Sequence, residues 1–190
     1  SVKMNINGKP NGETDDLAIS CYQMLKNIYT KEYSEIMELF YGIYVSELTS
    51  SDGTIVHSVR PESYSMLDLE LPKKTPTLYD CFDSFTCYEK LEGENAWFND
   101  KTQQKENVKK RITFWSLPKI LIITLKRFSF DGRHKRQDLV QCPLINLDLS
   151  KYVSGYKAKK YLYDLYAVCN HSGGTQGGHY TSFVKTKNNT

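Results

Sequence analysis

The sequence lacks the features that mark several large classes of protein. None of its five cysteines forms a CxxC pair and their number is odd, so neither a disulfide framework nor a zinc ribbon is indicated. The most apolar run, residues 120–125, is too short to cross a membrane, and no secretory signal is expected. Reduced thiols in the cytosol or nucleus are therefore predicted, with no membrane partner.

A strong excess of one charge is also missing. The formal net charge is only +3, which does not argue for a nucleic-acid partner. The basic residues lie in three short clusters with no ladder of aromatic side chains between them, so solvated loops are predicted and no nucleic-acid partner is expected. The clusters are Lys109-Lys110-Arg111, Arg133-His134-Lys135-Arg136 and residues 157–160.

Tyrosine, by contrast, is abundant, with 14 residues. Tyrosine suits protein recognition, because its ring buries area while its hydroxyl keeps a partner. It also suits a half-exposed β-sheet, and the count alone leaves both interpretations open. With 39% hydrophobic and 25% charged residues, the chain has the composition of a folded globular protein, long enough for a sizeable core.

The hydrophobic pattern changes from helical to strand-like along the chain. Helical periodicity predicts one helix beginning near Asp15, a second over residues 33–40 and a short third over 77–85. Residues 88–110 are polar and are predicted to form a long exposed excursion, and the run 120–128 is typical of a strand buried on both faces. Other strands are predicted at 54–59, 64–71, 112–115, 139–144, 161–169 and 179–186. Helices followed by many strands predict an α+β fold with an antiparallel sheet.

A glycine-rich segment near the C-terminus carries the best candidate for chemistry. Four glycines between His171 and His179 let the backbone adopt positive φ and let another chain approach closely. His179 lies where this loop is predicted to become a strand, so a sheet would hold its imidazole facing the loop. Because imidazole titrates near neutral pH, such a histidine suits a general base. A structural or merely exposed histidine is also common, so this pattern alone leaves both possibilities open.

Six segments occur in an order that is informative as a set. They are LFYG at residues 39–42, LDLELP at 67–72, TLYDCFDSF at 77–85, LPKILIITLKRF at 117–128, PL at 143–144 with LDL at 147–149, and YDLYAVCNHSGGTQGGHYT at 163–181. Each is modest in specificity. Together, from about residue 15 to residue 187, they resemble the ubiquitin-specific protease family of papain-like cysteine deubiquitinases.

The resemblance implies a fold, an activity and a partner. The fold would be that of ubiquitin-specific proteases, with residues 1–40 as a helical remnant of an incomplete thumb, 41–115 as the fingers and connecting helix, and 116–190 as the palm. The activity would be thiol-dependent hydrolysis of isopeptide bonds at the C-terminus of ubiquitin. Ubiquitin and ubiquitinated proteins would be the partners, and no cofactor is implied.

The resemblance also implies roles for individual residues. His179 would be the catalytic base that takes a proton from a cysteine thiol. Residues 129–138 and 171–178 would cover the ubiquitin tail, which ends in two glycines. The tail-binding residues would be Phe128, His171, Gly177, Gly178 and Tyr180.

Two acidic residues complete the implied site. Asp15 or Asp16 would meet basic residues of the tail through charge-assisted hydrogen bonds. They could equally be acids that the helix dipole favours, because Leu17-Ala18-Ile19 replaces the family's next residues.

The sequence departs from the family in three places. The family's catalytic cysteine lies in a GNTCY segment, and none of the five cysteines here has that context, so all five are predicted to be structural or incidental. The third triad residue belongs to a WxxxDD-like stretch after the histidine segment, and this chain does not contain it. The CxxC pairs that many members carry at the fingertips are absent, so no structural zinc site is expected.

These departures leave two functions open. In the first, the chain belongs to an active deubiquitinase whose nucleophile lies outside it. The chain would then be a piece of a longer protein, shortened at both ends. In the second, it is a catalytically inactive ubiquitin-binding or scaffold domain of the same fold. The chain alone is expected to be inactive in either case, and the unaltered glycines around His179 favour the enzyme.

Overall fold

Two α-helices come first in the computed structural model, which describes residues 5, 7–156 and 160–186. Helix α1 runs over Glu13–Glu32 and α2 over Glu35–Phe40, so both predicted N-terminal helices are confirmed. The first turn of α1 holds Asp15 and Asp16, where the helix dipole favours negative charge. Its buried face contains Ala18 and Cys21.

A four-stranded antiparallel sheet follows, built from β1 Gly42–Ser50, β2 Val56–Tyr64, β4 Glu89–Leu91 and β7 Val108–Ser116. The strand order across this sheet is β2-β1-β7-β4. Helix α1 packs against this sheet, because its two buried residues share a small core cluster with Ile43, Val45 and Trp115. Removing this apolar surface from water holds the helix on the sheet.

The main core surrounds α3, Leu78–Thr86, which confirms the third predicted helix. A capping box starts it: Thr77 Oγ1 accepts a hydrogen bond from Asp80 N at 3.1 Å, and Asp80 Oδ2 accepts one from Thr77 N at 2.7 Å. Phe82 is fully buried and meets Phe114 of β7 edge-on, with ring centroids 6.1 Å apart. Leucines from one segment before α3 and one after it complete the core: Leu67, Leu69, Leu71, Leu147 and Leu149.

The remaining strands form short pairs. Strands β3 Leu67–Leu69 and β8 Ile123–Leu125 are parallel, whereas β9 Leu147–Asp148 and β10 Leu162–Tyr163 are antiparallel. Strands β11 Ala167–Gly173 and β12 Gly178–Val184 form an antiparallel hairpin. Helices combined with mainly antiparallel sheets confirm the α+β class. None of the helices in the described ranges is long and apolar enough to span a membrane.

Residues 88–110, predicted to form a long exposed excursion, are mostly exposed but are not one uniform loop. The segment contains β4, a 3-10 helix at Gly93–Asn95, and a hairpin of β5 Trp97–Asn99 and β6 Gln104–Glu106. Asn99 and Val108 are buried. The polar side chains satisfy one another, as where Asn99 Nδ2 donates to Glu106 Oε1 at 2.9 Å, so polarity here does not mean exposure to solvent.

Several strand predictions also need correction. In residues 120–128 only Ile123–Leu125 is a strand; within the described chain it pairs with β3 alone, and its residues are half-buried. Residues 139–144 form no strand beyond one parallel bridge from Gln141 to Thr77, and Pro143 has no N–H with which to extend a ladder. The predicted strands 64–71 and 161–169 are each divided between two strands with different partners.

The prediction of solvated basic loops fails for the first cluster and holds only in part for the second, where Arg133 and His134 are exposed and lie outside helices and strands. Lys109-Lys110-Arg111 lies within β7. Lys135 and Arg136 are half-buried, and each has several hydrogen-bond partners. In the third cluster, residues 157–159 lie outside the described residues.

Candidate functional site in the C-terminal hairpin

The β11–β12 hairpin builds the candidate site. Its register pairs His171 with Tyr180, Ser172 with His179, and Gly173 with Gly178. Gly173 has a φ of 120°, and a Cβ there would lie 2.6 Å from the carbonyl oxygen of Gly177. A side chain at this position would be strained and would clash, so the tight turn requires the glycine that the sequence supplies.

His179 is the second residue of β12, at the change from loop to strand that the sequence predicts. Its main-chain carbonyl accepts a 3.3 Å hydrogen bond from Ser172 Oγ, so the neighbouring strand fixes its backbone. The side chain is exposed, and within the described residues the imidazole has no hydrogen bond, ion pair or ring contact. An imidazole held in this way can take a proton from a group placed beside it and later return it.

Three of the predicted tail-binding side chains come together beside this hairpin. The rings of His171 and Tyr180 pair across the strands with centroids 4.6 Å apart, and the Phe128 ring lies 5.9 Å from that of His171. Directly opposed residues share a face of a hairpin, and side chains alternate along each strand. His171 and Tyr180 therefore occupy one face of the hairpin, and His179 occupies the other.

The two predicted tail-binding glycines have different surroundings. A Cβ at Gly178 would lie 2.2 Å from the carbonyl oxygen of Ser172 and 2.3 Å from His171 Nε2. No larger residue fits there without displacing the backbone or the ring. At Gly177 no atom lies within 4 Å of a Cβ position, so the space beside it is open. One glycine allows His171 to pack against the strand, and the other leaves room for a neighbour.

Residues 129–138 lie beside this hairpin. Phe128 and Lys135 form an antiparallel bridge, and Arg136 N donates to the carbonyl oxygen of Arg127 at 2.6 Å. Between them, Gly132 N donates to the carbonyl oxygen of Ser129 at 2.9 Å. The segment is thus a small reverse turn closed by main-chain hydrogen bonds.

Lys135 is a candidate functional residue that the sequence interpretation missed. Its Nζ lies 2.9 Å from His171 Nδ1, 2.6 Å from the carbonyl oxygen of His171 and 3.1 Å from that of Gly173. Charge alone predicts a solvated loop here. The adjacent Asp131-Gly132 pair, a frequent hairpin-turn sequence, is the signal that could have placed Lys135 opposite Phe128.

Asp15 and Asp16 do not join the aromatic cluster. The carboxylate of Asp15 accepts hydrogen bonds from Tyr156 Oη and, at 2.8 Å, from Asn11 N. The Tyr156 hydroxyl is the main cause of a lowered pKa of Asp15, followed by the Asn11 amide. Asp16 is exposed, and its carboxylate has no hydrogen-bond or ionic partner among the described residues. Neither side chain has a polar contact with the β11–β12 hairpin.

Three of the five free thiols are removed from solvent. Desolvation raises the pKa of buried Cys21 to about 12. Burial also raises the pKa of Cys81 and of half-buried Cys142. The thiolate is the nucleophilic form of cysteine, so these three environments oppose nucleophilic chemistry.

The two exposed thiols are not placed beside His179 either. Cys87 Sγ donates to the carbonyl oxygen of Ser84 at 3.0 Å, after the end of α3. Cys169 pairs with Ser182 in the hairpin register, which puts it on the face of His171 rather than that of His179. No thiol of the described residues therefore contacts the candidate base.

Among the residues the structure describes, no group of three or more His, Cys, Asp or Glu side chains could hold a metal ion. At the β5–β6 hairpin, the carboxylate of Glu106 is the centre of a small polar network. Glu106 accepts hydrogen bonds from Thr102 Oγ1 at 2.6 Å and Asn99 Nδ2 at 2.9 Å, and lies 4.0 Å from His57 Nε2 of β2. The Thr102 hydroxyl is the main cause of a lowered pKa of Glu106.

Comparison with curated proteins gives relatives of one kind. The chain is 46% identical over 116 residues to ubiquitin carboxyl-terminal hydrolase 19 of Homo sapiens, covering 59% of this chain and 9% of that protein. It is 39% identical over 129 residues to ubiquitin carboxyl-terminal hydrolase 15 of Bos taurus, covering 66% of this chain and 14% of that protein. The chain thus spans a small part of the length of these relatives.

Solved structures support the same fold. The SAGA Ubp8/Sgf11/Sus1/Sgf73 DUB module bound to ubiquitin aldehyde matches 90% of this chain and 40% of that chain, with a TM-score of 0.69 at 21% identity. A second structure, the SAGA DUB module bound to monoubiquitin, gives a TM-score of 0.70 at 23% identity, over 87% of this chain and 40% of that chain. The ubiquitin-specific protease fold is therefore confirmed. A family model described as ubiquitin carboxyl-terminal hydrolase matches residues 12–190, and the chain belongs to that family.

Proposed function

We propose that this chain is part of a cysteine-type deubiquitinase in which His179 is the general base. The observation that carries the proposal is the setting of His179, whose backbone is fixed in the hairpin while its exposed imidazole is free of partners among the described residues. Membership of the family supports the reaction class. The free thiols suit a reducing compartment, the cytosol or the nucleus.

The chemistry follows from the position of the base. His179 would take the proton of a cysteine thiol, and the resulting thiolate would attack the isopeptide carbonyl carbon at the ubiquitin C-terminus. When the carbon–nitrogen bond breaks, the imidazolium would protonate the leaving lysine amine. This leaves ubiquitin joined to the cysteine as a thioester. Water, deprotonated by His179, would attack the thioester carbon, the carbon–sulfur bond would break to release ubiquitin, and the imidazolium would return its proton to the cysteine sulfur.

We propose that the nucleophile is none of the five cysteines of this chain. Three of them have a raised pKa through burial, and the two exposed ones lie away from the face of His179. The residue that orients the imidazole would likewise come from outside the described residues. Such a partner would hold His179 in one tautomer and aim it at the thiol.

The ubiquitin tail would lie between residues 129–138 and the β11–β12 turn. Phe128 and Tyr180 would form an apolar wall, with the His171 ring between them. The open side of Gly177 would leave room for the tail's terminal glycines. The acidic end of α1, with Asp15 or Asp16, would meet basic residues of the tail.

A second candidate is a catalytically inactive ubiquitin-binding domain of the same fold. The observation in its favour is that no thiol among the described residues contacts His179. Such a domain would still bind ubiquitin, but would release no product from a ubiquitin substrate.

The test compares variants of the full-length protein on ubiquitin that carries a C-terminal fluorogenic amide. His179→Ala should lower kcat by at least about a hundredfold, as expected for loss of a general base. His57→Ala is the matched control, because this histidine lies on β2 beside Glu106, and it should keep the wild-type kcat. Equal rates for wild type and His179→Ala would refute the assignment of His179 as the general base. Ubiquitin binding without any turnover by the wild type would establish the inactive domain instead.

A further inference from the structure

The ammonium group of Lys135 is surrounded by three hydrogen-bond acceptors of the protein, whereas an exposed loop lysine is bonded mainly to water. Its ammonium group has three N–H donors. Three acceptors surround it: His171 Nδ1 at 2.9 Å, the His171 carbonyl oxygen at 2.6 Å and the Gly173 carbonyl oxygen at 3.1 Å. All three acceptors belong to the end of β11. The N–H donors of Lys135, which lies in residues 129–138, are therefore all used in hydrogen bonds to the segment 171–178.

The contact with Lys135 also determines which nitrogen of the His171 ring carries the proton. An ammonium group can only donate, so Nδ1 of His171 is the acceptor and the ring proton is on Nε2. That Nε2 edge packs against Gly178, where a Cβ would lie only 2.3 Å from it. Lys135 is thereby linked through the imidazole to the residue directly before His179.

The backbone of Lys135 is fixed as well, because it forms a β-bridge with Phe128. The Lys135 Nζ also lies 5.9 Å from the centre of the Phe128 ring. The Phe128 and His171 rings are in turn neighbours. One lysine thus joins the reverse turn at residues 129–138 to the turn at residues 171–178 by polar and ring contacts together.

We propose that Lys135 is a positioning residue that clamps these two segments in the arrangement that receives the ubiquitin tail. This inference rests on the proposed function, since it assigns the tail as the ligand. Its physical basis is preorganisation: loops already ordered before binding lose less conformational entropy when the tail enters. Lys135 itself does not contact the tail or the reacting atoms, so its loss weakens tail binding rather than abolishing the chemical step.

The first measurement addresses the clamp without any ligand. Hydrogen exchange of the amides of residues 172–178 is compared between wild type, Lys135→Met and Lys119→Met. Lys119 is exposed, and its side chain has no polar partner among the described residues, so its variant controls for the substitution. Loss of charge-assisted hydrogen bonds should speed exchange in Lys135→Met by about tenfold. Exchange as slow as in Lys119→Met would overturn the clamp.

The second measurement addresses the tail. Lys135→Met should raise the Kd for intact ubiquitin by about tenfold, the size expected for loss of one charged hydrogen-bonding group, and should leave the Kd for ubiquitin lacking its C-terminal tail unchanged. An equal loss for both ubiquitins, or no loss for either, would refute tail positioning. In the active enzyme the same change should appear in KM, with kcat nearly unaltered.

The two failures can be told apart. If the wild type binds neither form of ubiquitin, the proposed function fails, and the hydrogen-exchange result still decides whether Lys135 clamps the loops. If ubiquitin binds and exchange does not change in Lys135→Met, the clamp fails while the proposed function stands.

Discussion

Gly42 and Tyr64 lie directly opposite each other, at the start of β1 and the end of β2, and the phenol ring fills the space a side chain at Gly42 would need. A Cβ at Gly42 would lie 2.6 Å from Tyr64 Cζ and 2.8 Å from the carbonyl oxygen of Ser116. Tyr64 is buried, and its ring meets that of Phe114 in the main core. The absence of a side chain at Gly42 therefore allows the Tyr64 ring to pack against the start of β1 and join the main core.

Gly42→Ala should destabilise the fold by about 1–3 kcal/mol, because the ring or the strand has to move. The free energy of unfolding is measured by urea denaturation. The control is Gly174→Ala, where no atom lies within 4 Å of the new Cβ; its effect should stay within about 0.5 kcal/mol. Equal stability of the two variants would contradict the packing argument.

The capping box of α3 gives a pH dependence of stability. The Lys73 ammonium, followed by the hydrogen bonds from Thr77, lowers the pKa of Asp80 from 3.8 to about 2. A carboxyl group with a lower pKa in the folded state stabilises the fold above its unfolded pKa, and that contribution is lost as pH falls from about 4 to about 2. The gap in unfolding free energy between wild type and Asp80→Asn should therefore be constant at neutral pH and shrink over this acidic range. A gap that is unchanged at pH 2 would contradict the assignment.

The network around Glu106 should hold the β5–β6 hairpin against β2. Glu106→Ala removes the acceptor shared by Thr102 and Asn99, together with the neighbour of His57. The amides of residues 97–106 should then exchange with solvent faster than in wild type, because local opening no longer breaks these hydrogen bonds. Glu92→Ala is the control, since Glu92 is exposed and its carboxylate has no polar partner in the described chain. Equal exchange in the two variants would mean that the ladder between the strands holds the hairpin by itself.

Elements with local signals could be predicted from the sequence. The periodicity around Cys21 and the pattern from Thr77 to Phe85 identified α1 and α3, because a helix is defined by contacts within a few residues. The change from glycines to alternating residues likewise placed His179 at the start of a strand. In these cases the neighbouring residues carry the information.

Features that depend on distant partners were missed. The run 120–128 looked like a doubly buried strand, but only Ile123–Leu125 is a strand and its residues are half-buried, because burial depends on what packs on each face of the strand. Lys135 looked solvated because its acceptors, His171 and Gly173, come from a much later segment. Asn99 and Glu106 looked exposed for a different reason: they are polar, but Asn99 donates a hydrogen bond to Glu106 across the β5–β6 hairpin. Polar composition does not distinguish a side chain bonded to water from one bonded to the protein.

The last prediction concerns which aspartate of α1 would meet the ubiquitin tail under the proposed function. The carboxylate of Asp15 already accepts hydrogen bonds from Tyr156 and Asn11, and Tyr156 in turn packs edge-on against Trp115. Asp16, one residue later, is exposed and has no such partners. A basic tail residue would compete with Tyr156 and Asn11 for the Asp15 carboxylate, but it would compete only with water for Asp16.

Asp16→Asn should therefore weaken ubiquitin binding by about two- to fivefold at low salt, the range of an exposed ion pair, and by less at high salt. Asp15→Asn should have the smaller effect on the Kd and should lower the thermal midpoint instead, because it weakens the link between α1 and Tyr156. Titration with ubiquitin at two salt concentrations, alongside thermal unfolding of both variants, separates these effects. A larger loss of binding in Asp15→Asn would contradict this assignment and would make Asp15 the residue that meets the tail.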